Sequence, residues 1–231
     1  LFTRLAPEVH RHVLSVENGV DVDYFSPEAV TENPYIDTEK VLVFVGAMDY
    51  WANVDAVRWF AKHVFVKIHD QVPGTRFYIV GSKPTEAVRR LGKQKGITVT
   101  GAVRDIRPYL AHASRSVAPL RRARGIQNKV LEAMAMDRPV LATTAAADGL
   151  DQQAKNSMMI VDEPHEMVEF VLGYLNHPYT GTGLYRQHVC NRYSWEKNLE
   201  SLMRLLECST PELDRLPDYR SLNTQSGFAT R

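Results

Sequence analysis

Cysteine is nearly absent from this sequence of 231 residues. Cys190 and Cys208 are too few for a disulfide scaffold and point to a reducing compartment. No apolar run approaches the roughly 18 residues of a membrane-spanning helix. Neither sign of charge dominates: 28 basic and 27 acidic side chains leave a net charge of +1, which excludes a globally basic nucleic-acid binder. Glycine (13) and proline (12) stay at ordinary levels, which excludes collagen-like and linker-type chains. No Gly-x-Gly-x-x-Gly occurs, against a dinucleotide oxidoreductase, and none of the 8 histidines has His-x-x-x-His metal spacing. A charged leader followed by an apolar stretch is also missing. The chain opens on Leu1 with residues that read as mid-protein, so a fragment without a signal peptide is expected. What remains is a globular composition, 44% apolar and 24% charged.

The apolar residues fall into short, β-branched runs at 41–45, 76–80, 97–100, 116–120, 139–143 and, more weakly, 157–161. Such runs fit strands covered on both faces. Helical spacing fills the gaps. Asn53 reads as an N-cap, with Val54, Val57, Phe60, Ala61, Val64, Phe65 and Ile68 forming one apolar face behind it. Further helices are expected at 84–92, at 105–112 with Pro108 in the first turn, from Ile126 to Ala135, and at 164–176, 181–192 and 195–207. This alternation predicts an α/β fold, a doubly wound parallel sheet of about six strands. A polar, proline-punctuated tail is expected over 209–231, with one domain over 1–208.

An open parallel sheet binds its ligand at the carboxyl ends of its strands. The residues there make Gly46, Met48, Gly81, Gly101 and Val103 candidate ligand contacts, together with the stretch from Arg121 to Lys129. From Ile106 to Leu131 there is no acid, while Arg107, Arg115, Arg121, Arg122, Arg124 and Lys129 are all basic. Lys129, in the first turn of a helix, opposes the helix dipole, a penalty of roughly 0.3–1 kcal/mol. An anion such as a diphosphate at that N-terminus would remove the penalty. Arg121, Arg124, Gly125, Asn128 and Lys129 are the candidates for that site, and a solvated basic loop is the competing reading. Glu132 shares a helix face with Gly125, Asn128 and Lys129. Its carboxylate could accept hydrogen bonds from two adjacent ribose hydroxyls, or pair with Lys129 at i, i+3.

Residues 16–27, Val-Glu-Asn-Gly-Val-Asp-Val-Asp-Tyr-Phe-Ser-Pro, look like the segment that leads into the C-terminal domain of the GT-B fold in family 4 glycosyltransferases, which further segments also resemble. Gly125 to Ala135 looks like its Leu-Glu-Ala-Met-Ala helix. Gly46-Ala47-Met48-Asp49-Tyr50 with Asn53 is similar to a loop in a subgroup that includes bacterial exopolysaccharide sugar transferases. Val99 to Val103 with Asp105, and Ser194-Trp195, resemble further subgroup motifs. The resemblance covers residues 10–207.

The resemblance implies a donor-binding C-terminal domain, a nucleotide-activated sugar such as a UDP- or GDP-sugar, and retention of anomeric configuration without a metal or other cofactor. It implies that Glu132, the second glutamate of the family's E-x7-E motif, holds the ribose. Arg124 stands where the first glutamate usually touches the donor sugar. The usual Arg and Lys after the first strand are missing, so Arg121, Arg124 and Lys129 are expected to neutralise the phosphates. Acceptor residues would belong to an N-terminal domain outside these residues, so that the chain binds nucleotide without turnover. A saccharide or lipid-linked acceptor, a cytoplasmic location and peripheral contact at the inner face of a bacterial membrane belong to the same expectation. A partner subunit of the same fold with a decayed donor site is the alternative, kept by Arg124. Asp21-Val22-Asp23 spells a metal-type D-x-D but lies in the incoming segment before the first strand, where metal binding is not expected. The basic stretch Arg89, Arg90, Lys93 and Lys95 is read as a solvated face, and Trp51 as an aromatic beside the first-strand loop.

Overall fold

The computed structural model describes residues 15–36, 40–175, 179 and 181–207. Cys208, the expected tail over 209–231 and the opening residues 1–12 lie outside the described residues. Six strands form one sheet in the order β3-β2-β1-β4-β5-β6, and every pairing is parallel. They are β1 (Lys40–Val45), β2 (Thr75–Val80), β3 (Ile97–Gly101), β4 (Arg115–Ala118), β5 (Val140–Ala142) and β6 (Met159–Ile160). The α/β doubly wound expectation therefore holds. Val41, Leu42, Val43 and Phe44 of β1 and Phe77 and Ile79 of β2 are fully buried. Each such side chain contributes about 1.5–3 kcal/mol of burial.

The chain winds outward from β1 to β3 through α1 (Trp51–Phe60), α2 (Val66–Gln71) and α3 (Glu86–Leu91). Helix α4 (Arg107–His112), with Pro108 in its first turn as expected, then returns it to the other side of β1. The remaining helices are α5 (Asn128–Ala135), α6 (Thr144–Ala147), α7 (Gln152–Asn156), α8 (Pro164–Leu175), α9 (Leu184–Arg192) and α10 (Trp195–Glu207). The reversal puts the switch point between β1 and β4. These two strands pair at Leu42 with Arg115 and Val43 with Ser116, short of their carboxyl ends, where an open parallel sheet has its crevice.

Two expectations need correction here. The long helix after β1 is interrupted by a π-helical turn, Ala61–Phe65, in which the Val66 N–H bonds the Ala61 carbonyl. The added residue shifts the inward face, so Phe60, Ala61, Val64, Phe65, Ile68 and His69 are all buried. Asn53 is not an N-cap: Tyr50 holds that position without a side-chain bond, and Asn53 is buried in the first turn of α1.

The incoming segment docks against the last helices. Val20 donates to the Tyr193 carbonyl (2.8 Å), Asn198 Nδ2 to the Asn18 carbonyl (2.9 Å), and Arg192 pairs with Glu17 (2.6 Å). The Arg186 guanidinium spans the carbonyls of Val22, Phe25 and Ala135 at 2.6–2.9 Å. Asp21 Oδ1 accepts from the N–H groups of Asp23 and Tyr24, so the first carboxylate of the D-x-D closes a local turn. Among the described residues no cluster of His, Cys, Asp and Glu could hold a metal. Arg107 lies over the Tyr24 ring (4.0 Å) and forks onto Asp105, which fastens the segment to the loop after β3.

Candidate functional site

Three elements converge at the switch point. β1 ends in Gly46, the first turn of α1 supplies Asn53, and α5 begins with Asn128 and Lys129. The Lys129 side chain crosses the Phe44 ring, with Nζ 4.4 Å from its centroid, and donates to Asn53 Oδ1. Asn53 Nδ2 in turn donates to the Ala47 carbonyl (2.9 Å). A Cβ on Gly46 would lie 2.7 Å from Asn53 Nδ2 and 3.2 Å from Lys129 Nζ, so a glycine is needed for this approach.

Burial pushes the Lys129 pKa down to about 8, against the pull of Glu132. Burial likewise raises the Glu132 pKa, against the pull of Lys129. Among the described residues no ion pair joins Lys129 to any carboxylate, Glu132 included. No side chain caps α5, and the Gln127 amide turns back to the Arg124 and Gly125 carbonyls (3.1 and 3.0 Å). A largely buried ammonium and an uncapped helix N-terminus thus share one crevice. Both favour an anion.

The other expected residues divide. Gly125 has φ +66° and precedes α5 rather than belonging to it, so its shared helix face with Glu132 does not form. Asn128, exposed, accepts a hydrogen bond from Asn18 Nδ2. The Arg122 and Arg124 side chains are exposed and make no hydrogen bond or ion pair among the described residues. Arg121 differs from expectation: its guanidinium is bound to Asp55 of α1, so that charge is already paired. Met48 is also corrected, since its side chain is fully buried and its backbone ties the loops after β1 and β2 together. Gly81 touches Gly46 from β2. Gly101 and Val103 follow β3, two strand spacings or roughly 10 Å from β1. They lie off the crevice. Trp51 stands beside Tyr50 at the start of α1, each 54% exposed.

Two open grooves, of about 870 Å³ and about 570 Å³, meet at Trp59 and Arg121 along α1. Neither is lined by Asn53, Lys129 or Glu132. The switch point is the stronger candidate because polar groups with incomplete partners converge there. The residues missed by sequence reasoning are Asn53 and Phe44. No local signal marks their role: Asn53 reads as a cap ahead of an apolar run, Phe44 as one more strand residue, and the contact of both with Lys129 is made only by the fold.

The family model described as "Glycosyl transferases group 1" matches residues 39–177, more than half of the chain. The chain belongs to this family. No curated protein matches it by sequence. Solved structures do. A glycosyltransferase from Rickettsia africae is similar at a TM-score of 0.62 and 16% identity, over 83% of this chain and 56% of that one. Anabaena HepE, crystallised with UDP and glucose, gives 0.62 and 14%, over 84% and 56%. The sucrose-phosphate synthase of Thermosynechococcus elongatus gives 0.62 and 18%, over 95% and 57%. This group 1 glycosyl transferase chain spans just over half the length of these proteins. Its parallel sheet with flanking helices corresponds to the Rossmann-like half of a GT-B fold.

Proposed function

We propose that this transferase chain is the C-terminal, donor-binding half of a GT-B enzyme and takes a nucleoside diphosphate sugar, UDP- or GDP-linked, at the β1–β4 switch point. The observation that carries the reading is the Lys129 ammonium, held by Asn53 beside the uncapped start of α5 with no carboxylate among the described residues paired to it. Lys129 and the α5 N–H groups grip the diphosphate, and Arg124, whose exposed side chain is unpaired among the described residues, reaches the phosphate or donor sugar. Glu132, one turn further along α5, accepts from the ribose hydroxyls, while Gly46, Gly125 and Asn128 line the approach. As the glycosidic bond to the diphosphate breaks, negative charge grows on the leaving phosphates. Cations and helix dipoles already in place stabilise that charge more than the ground state.

Retention, metal independence and a saccharide or lipid-linked acceptor in polysaccharide biosynthesis complete the proposal, with the acceptor held by an N-terminal domain. HepE crystallised with UDP-glucose and TarM with UDP and a sugar-bearing glycerol support nucleotide-sugar and saccharide binding. A cytoplasmic site at the inner face of the membrane is part of the same reading. No helix among the described residues is long and apolar enough to cross a membrane.

Isothermal titration with UDP, GDP and their sugar conjugates tests this. Heat is expected with one diphosphate, unchanged by EDTA. Glu132→Ala should weaken binding by about tenfold or more, as loss of a hydrogen bond to a charged acceptor does. An intact chain that binds neither diphosphate would point instead to a partner subunit with a decayed site. Binding that EDTA abolishes would overturn metal independence.

A further inference from the structure

We propose that Asn53 is a positioning residue for donor binding, holding the Lys129 ammonium at the crevice as a neutral hydrogen-bond acceptor; the role rests on the donor-site reading. Asn53 is only 5% exposed although it lies within the first turn of a helix, where asparagine has little intrinsic preference. Both ends of its amide are used. Nδ2 bonds the Ala47 carbonyl and Oδ1 accepts from Lys129 Nζ, so the amide cannot turn over without losing both bonds. The first bond fixes Asn53 to the loop after β1, and the second spans 76 residues of sequence to α5. Gly46 completes the arrangement, because any Cβ there would press on Asn53 Nδ2.

The choice of amide over carboxylate is the chemical point. A lysine side chain has four rotatable carbons and much rotamer freedom to lose, so a bound phosphate gains from an ammonium already in place. Aspartate at position 53 would hold the ammonium as well, but would also cancel its charge and repel a diphosphate. Asparagine orients the cation and leaves the charge available. The loop after β1 contributes little cation of its own, since Lys83 beyond β2 is exposed and spent on Asp49 (3.5 Å). The face of the Phe44 ring, 4.4 Å from Nζ, adds a neutral cation–π contact to the same ammonium.

The test uses the full chain, its Asn53→Leu and Asn53→Asp variants, titration with UDP and GDP, and the lysine side-chain amine signals in 1H–15N NMR spectra. Wild type should show one protected ammonium signal that vanishes in Lys129→Met. Asn53→Leu should lose that signal and bind the diphosphate about tenfold more weakly. Asn53→Asp should keep the signal and still lose about tenfold or more in affinity, with a ratio to wild type that shrinks at high salt, whereas a loss caused only by the missing Nδ2 bond to Ala47 would not respond to salt. If Asn53→Leu fails to fold, the near-isosteric Asn53→Asp decides the matter. Affinity within twofold of wild type in a folded Asn53→Asp chain would overturn the proposal and leave the donor site standing. A wild-type chain that binds neither diphosphate would overturn both.

Discussion

Replacing Lys129 with methionine is expected to weaken diphosphate binding by about 10- to 100-fold, the usual cost of losing a hydrogen bond to a charged group. Methionine keeps an unbranched side chain of similar length and removes the charge, its donors and the ammonium's contact with the Phe44 ring. Stability at neutral pH should change little, because two effects oppose each other. A buried cation is removed, while Asn53 Oδ1 loses the donor that satisfied it. The pH dependence is more telling. Lys129 titrates near 8 in the folded chain against 10.5 for an unperturbed lysine. Below about pH 8 both states hold the proton and the burial penalty is constant. Between about 8 and 10.5 the unfolded chain binds more protons, so wild-type stability gains a rising contribution there. Lys129→Met should lack that contribution. Wild-type affinity should fall over the same range as the free site loses its charge. Thermal melts at pH 7 and pH 10, with titration at each, read both effects. A variant that melts far lower at pH 7 and binds as wild type would make Lys129 a structural residue.

Gly81→Ala should be the most damaging small substitution in the sheet. Gly81 has φ +150°, where an L side chain is strained, and its added Cβ would lie 1.8 Å from the Gly46 carbonyl oxygen. Neither neighbour can yield by a side-chain rotation, because both atoms belong to backbone that continues the strand ladder. Gly46 N–H bonds the Val80 carbonyl and Gly81 N–H bonds the Gly101 carbonyl, so a shift at one strand end propagates across three. Backbone strain and overpacking together suggest a loss of about 2–5 kcal/mol, or a fall of about 10 °C in Tm. Because Gly46 would move, diphosphate affinity should fall as well, even though Gly81 itself lies one strand from Lys129. Melting followed by circular dichroism, and titration of the folded protein, would check this. A loss under 1 kcal/mol would show that the loops after β1 and β2 tolerate separation.

Much of the architecture was legible because buried parallel strands leave continuous apolar runs. Residues 41–45 and 76–80 match β1 and β2 to within one residue. The helix over 164–176 was equally clear, since Met167, Val168, Val171 and Leu175 mark one buried face. The π-helical turn was not legible: periodicity over a long window averages through a one-residue slip. Short α6 and α7 were also missed, being too brief to show a period. At the candidate site, Lys129 and Glu132 could be found from local charge against a neutral background. Asn53 could not, because an asparagine ahead of an apolar run looks like a cap, and its true partners are set by the sheet. Arg121 misled for the same reason. Its partner Asp55 is 66 residues away in sequence, and only the winding of β1 and β4 brings the two together.

The docking of the incoming segment on α9 and α10 has a mechanical consequence. Asn18 is gripped from two sides: Asn198 of α10 holds its carbonyl, and its own amide reaches Asn128, the first residue of the helix that carries Lys129. A pull on α10 is therefore relayed through one asparagine to the mouth of the crevice. Shortening the protein from its C-terminal side past Asn198 would loosen the start of α5 without touching any residue that lines it. Deletions from that side thus reach the start of α5 from a distance, with α10 as a tether for its first turn.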